Sequence, residues 1–191
     1  MKRLSNIMLA ATFISNLFYT MSYPYIYAQT VKVVPQSFIG IEQILCCVGA
    51  MLFCWIWNKY SDKLFKYYEL LLVAEIIADT VLFADVLIRW DLKFYFLLNV
   101  IIYSVITRNL ICGGNKMRAK LNPSEKERER FDNNNSILNS ASTLIGAGAA
   151  IVFNPQLKTL FVLALIGNIA DNFFYLYICR GIKKNKCPVT E

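Results

Sequence analysis

The chain has 191 residues, of which 57% are hydrophobic and only 17% are charged, and it contains no histidine. So many apolar residues, gathered into long runs, exclude an ordinary soluble domain and indicate an integral membrane protein. The net charge of +7 does not indicate a nucleic-acid partner, because the basic residues lie between the apolar runs. Without histidine there is no His-dependent catalysis and no imidazole metal ligand, so we expect no enzyme, no metal site and no cofactor.

Six apolar runs, each about long enough to cross a bilayer as a helix, follow one another along the chain. They predict one all-α membrane domain with spans at Leu4–Ala28, Phe38–Trp57, Glu69–Ile88, Leu92–Cys112, Ser136–Phe153 and Leu157–Cys179. We interpret the first run as an uncleaved helix, because it is too long for a signal peptide. Breaker residues predict short external turns at Lys32–Ser37, Arg89–Asp91 and Asn154–Gln156.

Lysine and arginine are distributed unequally between the two sets of connections. Sixteen of the 20 lie at the N-terminus, in the segment Trp57–Tyr68, around the segment Gly113–Asn135 and in the tail 180–191, and four lie on the other face. Because basic residues accumulate on the cytoplasmic side, both termini and the Gly113–Asn135 loop are predicted to be cytoplasmic. The chain is therefore expected to be a multi-pass protein of the cell membrane.

The segment Trp57–Tyr68 reads W-N-K-Y-S-D-K-L-F-K-Y-Y and is predicted to be a tight loop between spans 2 and 3. It resembles the loop between helices 2 and 3 of the major facilitator superfamily, roughly G-x-L-A-D-[RK]-x-G-[RK]-[RK]. Ser61, Asp62, Lys63 and Lys66 match its A, D and two basic positions, whereas Asn58 and Phe65 replace both glycines. The resemblance implies one six-helix half of such a transporter.

The loop Gly113–Asn135 leads into a span rich in small residues, as in the drug-efflux branch of that superfamily. Small residues allow membrane helices to approach closely, so span 5 is predicted to be an interface helix. The resemblance further implies that Asp62 faces the start of helix 5 in the opposite half. Asn134 is predicted to lie at that start, because Asn and Ser are good N-caps. Alternatively, Asp62 pairs with Lys63, Lys66 or Arg130 of its own chain.

Polar residues inside the spans are candidates for a substrate or proton pathway, because charges in a bilayer are costly and are usually paired, protonated or functional. The candidates are Asn16, Tyr19, Tyr23, Glu42, Glu75, Asp79 and Asp171. A supporting network of interhelical hydrogen bonds is the alternative. Arg108 resembles the helix-4 arginine of proton antiporters in the superfamily and is a candidate switch residue. Asp85 and Arg89 are predicted to form an ion pair, and the six cysteines are predicted to be small buried residues.

The sequence thus favours a half-length, facilitator-like secondary transporter subunit that exports an unknown small molecule with proton coupling. Such a half needs either a second copy of the chain or another half, because the substrate lies between two six-helix units in the superfamily. Two other classes stay open. One is the substrate-binding membrane subunit of a multicomponent importer, and the other is a non-transporting remnant or immunity-type membrane protein.

Overall fold

The computed structural model describes residues 2–185, which are all-helical with short connections. The helices are α1 (Lys2–Thr30), α2 (Gln36–Arg89), α3 (Leu92–Ile102), α4 (Arg108–Leu121), α5 (Glu125–Phe153) and α6 (Leu157–Asn185). A π-helical turn, Tyr103–Thr107, joins α3 and α4 into one continuous helix. Four of the described helices are long and apolar enough to cross a membrane: α1, Leu92–Leu121, α5 and Leu157–Lys184. The all-helical class is confirmed, and the fold is compatible with a multi-pass membrane protein.

Helix α2 reverses direction at Tyr60, the one residue inside it with non-helical backbone angles (φ −124°, ψ 20°). The ring centroids of Trp57 and Tyr68 are 6.0 Å apart, whereas eleven residues of straight helix would separate them by about 16 Å. The segments 36–59 and 61–89, which we call the first and second arms of α2, therefore lie side by side. Both arms also contact the same part of the α3–α4 helix, through Cys46 on Ser104 and Glu75 on Thr107.

Two predicted loops are wrong in their secondary structure. The segment Trp57–Tyr68 is helical except at Tyr60, so the chain turns within a single residue rather than through a loop. The segment Gly113–Asn135 is helical except for the three residues 122–124, because α4 continues to Leu121 and α5 begins at Glu125. Ser124 and Glu127 form a reciprocal capping box that begins α5 eleven residues before the predicted start. The charged residues of this segment are good helix formers, and their polarity alone indicated a loop.

The three short turns are confirmed, with helix ends at Thr30, Arg89 and Phe153. The predicted ion pair is also confirmed, with 3.0 Å between Arg89 Nε and Asp85 Oδ1. The prediction of buried cysteines holds for Cys46 and Cys179 but is wrong for Cys47 and Cys54, which are exposed on the first arm. Cys187, like Met1 and Lys186, lies outside the described residues.

Helix α1 is the centre of the bundle, with α6 packed on one side and α5 on the other. The second arm of α2 lies between α6 and the α3–α4 helix. Ser142, Gly146 and Ala150 are the buried residues of the C-terminal half of α5, and their spacing of four places them on one face. Small residues on this face bring α5 close to α1, so the interface predicted for this helix lies within the chain.

The two larger apolar clusters of the described residues lie toward opposite ends of the bundle. The first includes Leu4, Met8, Phe65, Leu72 and Ile182, near the ends of α1 and α6 that carry the chain termini. The second includes Ile26, Phe83, Val86, Tyr95 and Phe161, at the opposite end. Rings of the second cluster pack edge to face, with 5.1 Å between the centroids of Tyr95 and Phe161. Several polar residues of α1, the second arm of α2 and α6, among them Ser15, Glu75 and Asp171, lie between these clusters.

We expect Gly146→Ala to destabilise the protein and Gly148→Ala, on the same helix, to leave its stability unchanged or raise it. A Cβ at Gly146 would overlap the side chain of Thr20 and come within 2.8 Å of the Leu17 carbonyl oxygen, whereas a Cβ at Gly148 meets nothing within 4 Å. Overpacking of this kind costs about 1–3 kcal/mol. Thermal unfolding in detergent measures the difference, and equal melting temperatures for the two variants would contradict the observed α1–α5 contact.

Candidate functional site

A cavity of about 380 Å³ lies inside the bundle between the two apolar clusters. Residues of α1, the second arm of α2, the α3–α4 helix and α6 line it, so four elements of a single chain form its walls. Its volume is in the range of small-molecule sites. Its walls combine apolar side chains with carboxylates, amides and tyrosines.

Three carboxylates line this cavity. Glu75 and Asp79 lie four residues apart on the second arm of α2, and Asp171 lies on α6. Glu75 and Asp79 are only 8% and 7% exposed. Three ionised carboxylates in one apolar bundle would repel one another and lose their hydration, so the cavity can take up protons or a cation.

Few protein groups satisfy these carboxylates. The Thr107 hydroxyl donates a hydrogen bond of 2.7 Å to Glu75 Oε1. The Asn172 amide also lies beside Glu75, the Asn168 amide lies beside Asp79, and the Ser15 hydroxyl lies beside Asp171. Asp171 Oδ1 is sealed from solvent and accepts no hydrogen bond. The cluster therefore has more acceptor capacity than the surrounding donors use.

Two of the α1 candidates line the cavity and one does not. Tyr19 and Tyr23 are lining residues, and their rings stack with centroids 4.8 Å apart. Asn16 instead holds α1 to α5, because its amide nitrogen donates to the Asn139 carbonyl oxygen at 2.9 Å and to the Ser142 hydroxyl. The spacing of Asn16, Tyr19 and Tyr23 predicted that their side chains share one face of α1. In the structure the Asn16 amide instead donates its hydrogen bonds to α5.

Glu42 lies apart from the other carboxylates. It is 5% exposed, its Oε2 has no hydrogen-bond partner, and it lines a much smaller pocket with Tyr27 and Thr30. Tyr23, Tyr95 and Asn99 line both this pocket and the main cavity. These three side chains therefore form a partition between Glu42 and the cluster around Asp79.

The π-helical turn shapes the wall of the cavity formed by the α3–α4 helix. A π turn holds an extra residue and rotates the side chains that follow, and such turns are frequent at functional sites. Tyr103 and Thr107, its first and last residues, both line the cavity. Arg108 follows directly but is not a lining residue, and its guanidinium lies over the Tyr103 ring, 4.8 Å from the centroid.

The arginine that lines the cavity is Arg118, which was predicted to lie in a loop. Arg118 lines the cavity and is paired with Asp132 of α5, with 3.0 Å between Nη1 and Oδ1. It also lies over the Phe131 ring, 5.5 Å from the centroid. Because helix α4 continues to Leu121, Arg118 lies on one of the helices that line the cavity.

Asp62 has partners in its own chain, but not the predicted ones. Its Oδ1 lies 3.4 Å from both Lys116 Nζ and Lys120 Nζ of α4. Hydrogen bonding to Lys116 lowers the pKa of the Asp62 carboxyl below its usual value. Lys63 and Lys66 are exposed, and the carbonyl oxygen of Lys66 accepts a hydrogen bond from Lys183 of α6. These contacts hold the turn of α2 against α4 and α6.

The prediction that Asn134 caps α5 is wrong. Asn134 lies ten residues inside the helix, which begins after Ser124. The backbone N–H of a residue in a helix interior donates to the carbonyl four residues before it, so it is no free donor for an anion. The physical argument for a contact between Asp62 and Asn134 across two chains is therefore lost.

Several residues that line the cavity were not predicted from the sequence. Polar residues of the cavity recur at helical spacing, as Asn168, Asp171, Asn172 and Tyr175 on α6 and as Tyr68, Glu75 and Asp79 on α2. This spacing marks one face of an apolar helix and could have added the amides and tyrosines to the three carboxylates. On the α3–α4 helix, Asn99, Tyr103 and Thr107 follow one another at intervals of four, and the π turn between Tyr103 and Thr107 lies within this series.

No family model, curated protein or solved structure matches this chain. The resemblance to the major facilitator superfamily stays a prediction.

Proposed function

We propose that the chain is a half-length, facilitator-like secondary transporter subunit that exports a small molecule in exchange for protons. The three carboxylates of the cavity are the groups that bind and release protons, and the cavity receives the substrate. The cluster of two buried carboxylates, Glu75 and Asp79, with the half-buried Asp171 carries this proposal. Burying each carboxylate ionised near a bilayer midplane costs at least ~2.5–3.5 kcal/mol, so a purely supporting role gives no reason for three in one cavity.

The proposal includes six membrane crossings. Besides the four helices that are long and apolar enough, each arm of α2 is longer than the ~20 residues that a span needs. The arms lie side by side, so both would cross the bilayer with the turn at Tyr60 on the cytoplasmic face. The many lysines and arginines near Tyr60, near Ser124 and at both termini support a cytoplasmic location for these ends.

We expect cysteine labelling to report this orientation. In a variant without native cysteines, Glu129→Cys should react with a membrane-impermeant maleimide only after the cells are permeabilised, and Gln156→Cys should react in intact cells. Both positions are exposed, so burial does not prevent labelling. Reaction of Glu129→Cys in intact cells would reverse or refute the topology.

A facilitator-like half works with a second half, and we propose a homodimer or a partner of the same architecture. The surfaces available for this contact are the first arm of α2 and α5. Both present apolar side chains, such as Met51 at 67% and Leu144 at 77% exposure. An apolar surface suits either lipid or a second bundle, and alternating access would rock the two halves against each other.

We expect Asp79→Asn to fold and to abolish the pH dependence of transport, because the amide keeps the size of the carboxyl group but takes up no proton. Transport of ethidium, an amphipathic cation, into inverted vesicles over a range of pH values measures this dependence. Asp85→Asn is the matched control, since Asp85 pairs with Arg89 outside the cavity. A pH profile of Asp79→Asn equal to that of the unmodified protein would remove Asp79 from the mechanism.

A second candidate is the substrate-binding subunit of a multicomponent importer. It is favoured by one observation: the residues that line the cavity all belong to a single chain. Native mass spectrometry in mild detergent separates the two proposals. A transporter half is expected as a dimer or with a second half, whereas a capture subunit is expected as a monomer. A monomer without pH-dependent transport would overturn the transporter.

A further inference from the structure

Two cysteine side chains meet across a helix contact outside the cavity. Cys54 lies on the first arm of α2 and Cys112 lies on α4, and their Sγ atoms are 3.7 Å apart. Cys54 is exposed, so a small reagent can reach its sulfur, whereas Cys112 is half-buried. Neither residue lines the cavity, so this thiol pair is separate from the site described above.

The packing of the two helices holds the thiol pair in register. Eight residues earlier on each helix, Cys46 Sγ lies 3.6 Å from the Ser104 hydroxyl, and both pairs are separated by 58 residues of sequence. The first arm and the α3–α4 helix therefore run parallel and side by side over about 12 Å. About one turn after Cys54, Trp57 Nε1 donates a hydrogen bond to Asn109 Oδ1. Contacts on both sides of Cys54 thus keep the first arm against the α3–α4 helix.

The two helices also pack closely enough for a covalent bridge. A disulfide joins Cα atoms that are only about 4.4–6.8 Å apart, so it connects two helices only where their backbones approach each other. Gly49 provides such an approach between Cys46 and Cys54, because a Cβ at this position would overlap the Ser104 carbonyl oxygen. The thiols need to move from 3.7 Å to the ~2.05 Å of an S–S bond, and rotation about side-chain bonds moves a sulfur atom by such a distance.

Two adjacent thiols suit a disulfide better than a metal ion here. Within residues 2–185, no group of three or more His, Cys, Asp or Glu side chains is placed to hold one ion. Zinc in proteins takes four ligands, or three and a water, whereas a disulfide needs only the two sulfur atoms.

We propose that Cys54 and Cys112 are a redox-sensitive pair, which a hydroperoxide oxidises to a disulfide that locks the first arm of α2 onto α4. Hydrogen peroxide oxidises the accessible Cys54 thiol to a sulfenic acid and releases one water. The Cys112 sulfur then attacks the Cys54 sulfur, so that the S–S bond forms, the S–O bond breaks and a second water leaves with the thiol proton. The two sulfurs supply the two electrons that reduce the peroxide. A dithiol reductant returns these electrons by thiol–disulfide exchange and restores both thiols.

The disulfide would couple a wall of the cavity to an arm outside it. Ile111 and Gly114, on either side of Cys112, line the cavity, whereas the described residues of the first arm do not. In the thiol form only non-covalent contacts hold the arm to α4, so the two can separate. In the disulfide form any movement of this wall has to carry the first arm with it. The proposal does not rest on the proposed function, because it concerns the packing of two helices and not what the cavity binds.

The test treats the purified, fully reduced chain in mild detergent with hydrogen peroxide. We expect the intact chain to lose the mass of two hydrogen atoms and to regain it with dithiothreitol. Tandem mass spectrometry of the tryptic peptides should link 33–59 to 109–116 through Cys54 and Cys112. This experiment uses the unmodified protein, so the folding of a variant does not limit it. Sulfinic acid at Cys54 without a bridge, or a disulfide that joins two chains, would overturn the proposal.

Variants then test whether the bridge locks the helices. Cys54→Ser and Cys112→Ser should each abolish the bridge, whereas Cys47→Ser, the matched control at an exposed position of the same arm, should keep it. Oxidation should raise the melting temperature of the unmodified chain and of Cys47→Ser by at least about 4 °C, because the bridge restricts the unfolded state. The melting temperatures of Cys54→Ser and Cys112→Ser should not rise. An equal rise in all four proteins, or none in any, would reject the lock.

The state of the pair in cells tests whether the bridge is a switch. Cells are treated with hydrogen peroxide, and free thiols are blocked with N-ethylmaleimide before lysis. We expect both thiols to be blocked in untreated cells and the Cys54–Cys112 bridge to form after peroxide, because the cytosol keeps protein thiols reduced. A bridge already complete in untreated cells would show a permanent cross-link and overturn the switch.

Discussion

The side chain of Tyr68 ties together the parts of this bundle that the site needs. It is almost fully buried, its ring packs edge to face on Trp57 of the first arm, and it stacks with Phe65 at 5.9 Å. Its hydroxyl donates to the Leu110 carbonyl oxygen on α4. One aromatic ring therefore holds the reversal of α2 closed, fixes α4 against it and forms part of the cavity wall.

This arrangement depends on Gly113 of α4. A Cβ at this position would overlap the Tyr68 ring and come within 3.0 Å of Trp57. The ring is buried and locked on its other sides, so it has little freedom to move aside. Gly113 thus allows the close contact between α4 and the turn of α2, and Lys116 and Lys120 of the same helix pair with Asp62 at the turn. Asp62, the acidic residue of the segment that resembles a facilitator loop, thus helps to hold the turn of α2 against α4.

The cavity lies between the two larger apolar clusters. One cluster packs toward each end of the bundle, and carboxylates and amides of α2 and α6 line the cavity between them. Inside this part of the bundle the effective dielectric constant is low, so charge interactions there are stronger than in water. The same low dielectric makes unpaired carboxylates costly, which is why protons or a cationic ligand are the natural partners of Glu75, Asp79 and Asp171.

The sequence by itself determined the all-helical class, the three short turns, the ion pair of Asp85 with Arg89 and the role of the small residues of α5. These features depend on local signals, namely apolar runs, breakers and spacing along one helix. Only the tertiary structure decided that Asp171 shares a cavity with Glu75 and Asp79, that Arg118 rather than Arg108 lines it, and that Asn16 bonds to α5. Those facts depend on helix rotation, on the π turn and on where α4 ends, and each is set by packing between elements distant in sequence.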